Sequence, residues 1–248
     1  MNESMEQLMR AVSLGRLADK WRKVAFENPE QYLRDLLTLE LREREAKRVA
    51  RMRKQAGIPV VKTLDSFIWR KTMELPASIT REELENVSFV QRRENLILIG
   101  VVGTGKTHLA TALALELCEQ GRNARFFTAA GLANLLIERS KRGLLGAFMD
   151  SLKKVELIVI DEVGFVPLHK EAAELLFQVI SVCYEQKSLV ITSNLEFSQW
   201  NTVLGDSRLT AALIDRLVHH GHIVVFGGES FRLQESMRRQ KEGTASHT

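Results

Sequence analysis

The stretch from residue 96 to residue 107 constrains the fold of this chain more than any other. Residues 96–99 are apolar and indicate a buried strand, and the pattern Gly-x-x-x-x-Gly-Lys-Thr follows at 100–107. Glycines let backbone N–H groups close around an anion, and the next helix points its positive end at that anion. The pattern therefore predicts a phosphate-binding loop. The residues expected to hold the nucleotide are those of the loop and the start of its helix: Gly100, Gly103, Thr104, Gly105, Lys106, Thr107 and His108.

Strands and helices are expected to alternate from residue 95 onward. The expected strands are short apolar runs between helical segments: 96–99, 125–128, 157–160, 189–193 and 222–226. Uninterrupted apolar runs are typical of a parallel sheet that is buried on both faces. The pattern therefore predicts an open α/β sandwich, with its site at the carboxyl ends of the strands.

Two carboxylates follow the third of these runs, about 55 residues after the phosphate loop. Asp161 comes directly after four aliphatic residues, and Glu162 is next. We expect Asp161 and the Thr107 hydroxyl to act on Mg²⁺, Asp161 either directly or through water. Glu162 is the expected general base that polarises the attacking water.

Further polar residues complete the predicted catalytic set. Asn194 ends the fourth run and would lie beside Asp161 in a parallel sheet, where an amide can hold the attacking water. A late helix carries Arg208 and Arg216, and phosphoryl transfer gains from a positive charge supplied across a subunit contact. Arg216 is the first candidate for that charge, and a surface salt bridge is the alternative for either arginine. The chain has no Asn-Lys-x-Asp guanine-reading motif, so ATP is preferred to GTP.

Three histidines near the end of that helix, His219, His220 and His222, resemble a metal cluster by number alone. No cysteine or pair of acidic residues accompanies them in the sequence at a useful spacing. A helix end that is followed by a strand accounts for them, so the sequence predicts no metal there.

The first part of the chain is polar, with helical patterns over residues 5–26 and 30–56. Residues 40–54 carry seven basic and three acidic residues, in a chain whose net charge is only +4. One interpretation is a solvated helix with internal salt bridges. The other is a helix that contacts DNA phosphates, because few acidic neighbours are available to neutralise its cations. The cations in question are Arg48, Arg51, Arg53 and Lys54.

Composition fits one α/β domain with a smaller module. The chain has 248 residues, of which 45% are hydrophobic. No run approaches the roughly 18 apolar residues of a membrane span, and no secretory signal is expected at the N-terminus. Cys118 and Cys183 are interpreted as core residues rather than a disulfide. These observations predict a cytoplasmic protein with no membrane partner.

Longer stretches carry a resemblance to known families. The run Gly-Thr-Gly-Lys-Thr-His-Leu-Ala at 103–110 resembles AAA+ ATPases of the DnaA/DnaC branch. Five further stretches resemble the IstB family, the ATP-binding helpers of a class of bacterial insertion sequences. They are Asp-Glu-Val-Gly-Phe-Val-Pro-Leu at 161–168, Glu-Leu-Leu-Phe at 174–177, Ile-Thr-Ser-Asn-Leu at 191–195, Leu-Thr-Ala-Ala-Leu-Ile-Asp-Arg-Leu at 209–217 and Gly-Glu-Ser-Phe-Arg at 228–232.

The resemblance implies an AAA+ core, with a parallel five-stranded sheet in the order 5-1-4-3-2 flanked by helices. Residues 1–71 would form a helical module that binds DNA or a partner, 72–232 the ATPase core and 233–248 a basic tail. By the same resemblance Asn194 is the sensor 1 residue and Arg216 is the arginine finger. Arg232 falls in an element that contacts nucleotide or DNA.

The family also implies a function in transposition. Its members are ATPases that assemble as homo-oligomers on duplex DNA, with ATP sites between subunits. The assembly deforms the target DNA and recruits a partner transposase of the IstA kind, and ATP hydrolysis then resets the assembly. The resemblance places this activity in the bacterial cytoplasm, at the nucleoid. Val101-Val102 stand where the family usually has Pro-Pro, a change in loop stiffness that should leave nucleotide binding intact.

Other functions share parts of this pattern. A DnaC-like replicative helicase loader has the same core and would bind single-stranded DNA and a helicase. A small-molecule kinase would need an acceptor pocket and a mobile basic lid, whereas Asp161, Glu162 and Asn194 suit the activation of water. A purely structural DNA-binding protein would not need these three residues.

Overall fold

A computed structural model describes residues 4–26, 28–231 and 233. The chain divides into two compact units, one up to Met52 and one from Arg53 onward. Residues 53–71 therefore belong to the same compact unit as the sheet. Arg232 and, apart from Leu233, the expected basic tail lie outside the described residues.

A six-stranded sheet forms the centre of the larger unit. Its strands are β1 (Met73–Glu74), β2 (Asn95–Gly100), β3 (Ala124–Thr128), β4 (Leu157–Val163), β5 (Ser188–Ser193) and β6 (Gly221–Phe226). Their spatial order is β1-β6-β2-β5-β4-β3, and every neighbouring pair is parallel except β1 with β6. The five parallel strands thus lie in the predicted order. The sequence missed the antiparallel edge strand β1, because two residues are too few to show a periodic pattern.

Helices join the strands of the sheet and also build the N-terminal unit. The α-helices are α1 (Met5–Ala11), α2 (Gly15–Ala18), α3 (Pro29–Ala56), α4 (Arg81–Glu85), α5 (Lys106–Glu119), α6 (Ala129–Lys141), α7 (Leu145–Leu152), α8 (Lys170–Cys183), α9 (Asn201–Leu204) and α10 (Ser207–His219). Single 3₁₀ turns lie at Trp21–Lys23, Ser88–Val90 and Phe197–Gln199. No helix in the described ranges is long and apolar enough to cross a membrane.

The sheet is covered on both faces, as its apolar runs predict. Helices α6, α8 and α10 pack with Ile97, Ile158 and Ile191, which share one face through the two-residue alternation of strands. Helix α5 contacts β3, β4 and β5 and covers the other face. Cys118 and Cys183 are buried in α5 and α8 and form no disulfide, as predicted.

The N-terminal unit does not contain the single helix that the spacing predicts over residues 5–26. Helix α1 ends at Ala11, and Ser13 has φ +64°, a left-handed conformation that no helix interior allows. The buried Glu40 carboxylate, which is 2% exposed, accepts hydrogen bonds from the Leu17 backbone N–H at 2.9 Å and from Arg16 and Arg44. This carboxylate therefore ties α2 to the middle of α3.

Candidate functional site

The phosphate loop joins β2 to α5, and two of its glycines have no room for a side chain. Gly100 has φ +147°, and a Cβ there would lie 2.1 Å from the carbonyl oxygen of Phe226. Gly103 has φ +82°, and a Cβ there would lie 2.1 Å from Ser230 Oγ. The loop is therefore packed against the end of β6 and the segment that follows it.

Two side chains of the phosphate loop hydrogen-bond to the backbone of the same loop. Lys106 is 8% exposed and donates from Nζ to the carbonyl oxygens of Gly100 at 2.6 Å and Val101 at 2.7 Å. Thr104 is buried, and its hydroxyl donates to the Val101 carbonyl at 2.8 Å. The Lys106 ammonium thus lies inside the loop that is predicted to bind phosphate.

A cavity of about 390 Å³ opens beside the loop, at the carboxyl ends of the strands. The predicted site residues that line it are Gly103, Gly105, Lys106, Thr107, His108, Glu162 and Asn194. Gly100, Thr104 and Asp161 are not among its lining residues in the described part of the chain. Thr104 and Asp161 are buried, and Gly100 is the last residue of β2.

Asp161 is a buried carboxylate at the end of β4, and it is 3% exposed. Its Oδ1 accepts hydrogen bonds from the Thr107 hydroxyl at 3.0 Å and from the Thr192 hydroxyl at 2.5 Å. The two residues predicted to hold Mg²⁺ are therefore adjacent. Hard oxygen donors of this kind are the ligands that Mg²⁺ prefers, so Thr107 and Asp161 fit the ion.

Glu162 is aimed at the cavity by an irregularity in its strand. The pairing of β4 with β5 shifts register between Ile160 and Val163, as in a β-bulge. Glu162 has φ +62°, which is uncommon for a residue with a side chain. Its backbone N–H donates to Thr192 Oγ1 at 2.9 Å. The bulge turns this carboxylate towards the cavity while Asp161 remains buried.

The end of β5 contributes more to the site than the predicted Asn194. Thr192 and Ser193 also line the cavity, and both are buried. The Ser193 hydroxyl donates to the Val163 carbonyl at 2.6 Å, on the far side of the bulge. Both residues belong to the polar end of an apolar run, as Asn194 does, but only Asn194 was predicted to act in the site.

The sequence did not indicate the wall formed by residues 62–68 and by Phe231. Phe67 packs edge-on against the His108 ring, with the two ring centroids 5.3 Å apart. The Phe231 backbone N–H donates to the Gly103 carbonyl at 2.9 Å, and the Arg70 guanidinium lies 3.1 Å from the Phe231 ring centroid. Phe231 falls in the Gly-Glu-Ser-Phe-Arg stretch at 228–232, but that stretch alone does not place it against the loop, so the fold reveals the position of both segments.

His108 contacts the same wall. Its Nε2 lies 3.1 Å from the Thr63 carbonyl oxygen and 3.2 Å from Ser66 Oγ. Burial lowers the pKa of this imidazole, although the contact with the Thr63 carbonyl opposes the shift. The ring is therefore neutral near pH 7 and holds residues 62–68 against α5.

The structure does not bring Arg216 to the cavity of its own chain. Its guanidinium lies 4.3 Å from the Phe177 ring centroid and donates to Ser181 Oγ at 3.0 Å, so it rests on α8. Arg208 is exposed near the start of α10. In the described residues, neither arginine lines the cavity. A catalytic role for either would require a neighbouring subunit.

Two of the four α3 cations proposed to contact DNA have acidic partners in the structure. Arg48 pairs with Glu45 at 2.7 Å, three residues earlier on the helix, and Arg53 pairs with Glu119 of α5. Arg51 and Lys54 are exposed, and neither is ion-paired within the part of the chain that the structure describes. The second partner was invisible in the sequence, because 66 residues separate it from Arg53.

Comparison with known proteins identifies relatives along nearly the whole chain. The family described as IstB-like ATP binding protein matches residues 5–239. A protein of Geobacillus stearothermophilus, named as an ATP-binding protein of insertion sequence IS5376, is 34% identical over 98% of each chain. A protein of Pseudomonas aeruginosa, named in the same way for insertion sequence IS21, is 36% identical over 75% of this chain and 69% of its own.

Solved structures share the core. DnaA from Aquifex aeolicus with bound AMPPCP superposes with a TM-score of 0.57 and 22% identity, over 75% of this chain and 56% of that one. The DnaC helicase loader superposes with a TM-score of 0.53 and 22% identity, over 66% and 96% of the two chains. At such identities the likeness concerns the fold alone, and it confirms the predicted α/β class.

Proposed function

This chain belongs to the family of IstB-like ATP-binding proteins, and we propose that it is an ATPase that serves the transposition of an insertion sequence. ATP would assemble its subunits on duplex DNA in the bacterial cytoplasm, at the nucleoid. The assembly would deform the target and recruit the partner transposase, and hydrolysis would reset it. The names of its relatives support the link to ATP and to insertion sequences.

One observation carries the proposal that the chain binds and hydrolyses ATP. The phosphate loop, the Glu162 carboxylate and the Asn194 amide all face a single cavity of about 390 Å³. The N-terminal end of α5 points at the same place, where its dipole and the N–H groups of its first turn favour an anion. A triphosphate in this cavity would meet donors on one side and a base on the other.

Lys106 is the residue that would exchange partners on binding. Its Nζ donates to two carbonyl oxygens of the loop that phosphates would enter. A phosphate oxygen carries more charge than a carbonyl oxygen, so charge-assisted bonds would replace these two. The loop therefore holds its lysine in place before the nucleotide arrives.

Mg²⁺ would be held by the Thr107 hydroxyl and the Asp161 carboxylate. When bound, the ion supplies neutralisation of the charge that develops on the phosphates. The hydroxyl of Thr192 keeps the Asp161 carboxylate oriented, since it donates to the same Oδ1 atom. Asp161 is buried, so its charge would be compensated by the ion and by these donors.

Glu162 and Asn194 would prepare the attacking water. The Glu162 carboxylate would accept a proton from water as the oxygen attacks the γ-phosphorus. The Asn194 amide would orient that water, since it follows β5 next to the bulge. Arg216 of a neighbouring subunit would supply positive charge to the transition state.

Duplex DNA would bind through the phosphate backbone. Arg51 and Lys54 are the exposed cations of α3 that support this step best, with Arg48 and Arg53 beside them on the same helix. Contacts of this kind do not read sequence, which suits a helper protein that has to bind target DNA of varied sequence.

Binding and hydrolysis assays on the full-length chain test the proposal. Wild-type protein should form a larger assembly with duplex DNA when a non-hydrolysable ATP analogue is present than when ADP is present. Lys106→Ala should abolish that difference. Binding of single-stranded DNA in preference to duplex would favour the helicase-loader alternative, and equal assembly with ADP and the analogue would contradict the ATP-controlled step.

A further inference from the structure

A cluster of metal-ligating side chains lies outside the nucleotide site. His219 and His220 end α10, and Glu185 lies in the turn between α8 and β5. The three residues each present one ligand atom, and these atoms lie within 4.8 Å of one another. The sequence predicted no metal here because no acidic partner was visible, and the fold supplies one from 34 residues earlier in the chain.

Backbone conformation brings the two histidine rings together. Successive side chains on a helix diverge by about 100°. His219 is the last helical residue, whereas His220 has φ −121° and ψ 50° and has left the helix. The ring centroids therefore lie only 4.2 Å apart. His222 does not join them, because it is buried and contacts Ser78 and Glu94.

The acidic partner is also placed by an unusual backbone. Glu185 has φ +56°, and its carbonyl oxygen accepts a hydrogen bond from Arg93 at 3.3 Å. Its carboxylate oxygen lies 3.2 Å from His220 Nε2. A left-handed conformation is unfavourable for a residue with a side chain. Glu185 adopts this conformation in the turn that places its carboxylate near the two imidazole rings.

Tyr184 forms a hydrogen bond with the ring of His219. Its hydroxyl lies 2.9 Å from His219 Nδ1, which leaves Nε2 of that ring for another partner. Histidines that bind metals commonly hydrogen-bond through the second ring nitrogen, which fixes the tautomer and the orientation of the ring. This contact distinguishes the cluster from two histidines that merely share a helix end.

We propose that Glu185, His219 and His220 form a binding site for a transition-metal ion of the Zn²⁺ type. Two imidazoles and one carboxylate are a ligand set that Zn²⁺ accepts, with a fourth position left for water. Mg²⁺ prefers oxygen ligands and would not compete there. The His220 and Glu185 side chains are about half exposed, so an ion can reach them from solvent.

The site is separate from the nucleotide cavity. Its residues precede β5 and β6, at the amino ends of strands whose carboxyl ends border the phosphate loop. An ion there would join the end of α10 to the turn after α8. Zinc binding by these three residues does not depend on whether the chain hydrolyses ATP.

Zinc titration of the full-length, tag-free protein tests the site. A chromophoric chelator that competes for Zn²⁺ should report one ion bound per chain in the wild type. Glu185→Gln, His219→Ala and His220→Ala should each weaken binding at least tenfold, since each removes one ligand. His169→Ala is the matched control, because His169 is exposed immediately before α8, at the opposite end of that helix from Glu185.

Thermal melting supplies the second measurement. Zn²⁺ should raise the melting temperature of the wild type and of His169→Ala, because a ligand that binds only the folded state stabilises it. The three cluster variants should melt like the wild type without zinc and should lose the zinc-dependent rise. Equal zinc affinity in wild type and cluster variants, or no binding by the wild type, would overturn the proposal.

Discussion

The hydroxyl of Thr192 donates a hydrogen bond to the carboxylate of Asp161 across β4 and β5, at 2.5 Å. The same hydroxyl oxygen accepts the backbone N–H of Glu162 at 2.9 Å. One threonine therefore fixes both the buried acid, which is suited to the metal, and the neighbouring residue, which is suited to act as base. Its own position is set by the centre of the sheet, where β5 lies between β2 and β4.

Thr192→Val should lower the turnover of ATP by roughly 10–100-fold, because small displacements of reacting groups have effects of that size. Valine keeps the shape of threonine but removes both hydrogen bonds. Thr202→Val is the control, since the Thr202 hydroxyl donates to Gln199 in an exposed turn away from the cavity. Steady-state ATPase assays decide, and an unchanged kcat in Thr192→Val would show that Asp161 and Glu162 are held by other contacts.

Glu162→Gln should retain ATP and lose turnover by about 10²–10⁴-fold, because an amide keeps the shape of the side chain but cannot accept the proton. Lys106→Ala should weaken nucleotide binding itself. Fluorescent-nucleotide titration and phosphate release separate the two effects. Glu171→Gln, an exposed change in the first turn of α8, serves as the control. Near-normal hydrolysis by Glu162→Gln would remove Glu162 from the mechanism.

Arg216→Ala and Glu162→Gln subunits should each be inactive alone and should regain part of the activity when they are mixed. Arg216 rests on α8 of its own chain, so its catalytic use requires the cavity of a neighbour. Phosphate release from mixtures at several ratios measures the effect. The same mixtures made with Arg208→Ala identify which arginine acts. If the two variants co-assemble without regaining activity, Arg216 does not act between subunits.

Arg51→Ala combined with Lys54→Ala should weaken binding to every duplex sequence alike. The logarithm of the affinity falls linearly with the logarithm of the salt concentration. This slope should become shallower by roughly one for each phosphate that the double variant no longer neutralises. Arg48→Ala should have a smaller effect, because Arg48 already pairs with Glu45. Titrations with a non-hydrolysable ATP analogue at several salt concentrations measure both. An unchanged slope in the double variant would turn attention to Lys141 and Arg142 at the end of α6.

Glu40→Gln should lower the free energy of unfolding by about 2 kcal/mol at pH 7, since hydrogen bonds to charged groups contribute about that much. Burial disfavours the charged carboxylate, but the hydrogen bonds from Arg44, Arg16 and the Leu17 N–H outweigh it and lower its pKa below the ordinary value of 4.5. The unfolded chain thus binds this proton more readily than the folded chain.

The stabilisation by Glu40 is consequently complete above about pH 4.5 and is lost as the pH falls through the lowered pKa. Urea unfolding of the wild type and Glu40→Gln should therefore differ at pH 7 and converge in acid. Glu45→Gln, an exposed change on the same helix, should cost less. A difference that persists unchanged in acid would mean that the variant acts through packing rather than charge.

The sequence predicted the parallel strands because the decisive signals are local, and the resemblance to AAA+ ATPases supplied their order. Apolar runs specify buried strands, and the loop from Gly100 to Thr107 specifies both a turn and a helix start. The expected place of Asn194 beside Asp161 followed from the rule that strands of one parallel sheet end at the same edge. Most of the polar residues of the cavity could therefore be named in advance.

What the sequence did not reveal depends on contacts between distant residues. Phe67 and Phe231 lie in segments without periodicity, and their place against the phosphate loop is set by the whole fold. Glu119 and Glu185 are ordinary surface acids in the sequence, yet one neutralises Arg53 and the other joins two histidines. Charge counts along a helix cannot anticipate such partners, because they ignore the neighbours that tertiary structure supplies.

Because β2 pairs with β6, the surroundings of the phosphate loop are complete only after residues 221–226 have been synthesised. β2 carries the phosphate loop, but its neighbour on one side comes from residues 221–226, more than a hundred positions later. Gly100 packs against Phe226, and the Gly103 carbonyl accepts a hydrogen bond from the Phe231 backbone N–H. A nascent chain that has left the ribosome only as far as α10 therefore holds the whole Gly-Lys-Thr motif without the surface that shapes it. The ability to bind nucleotide should emerge with the last strand, late in translation and all at once.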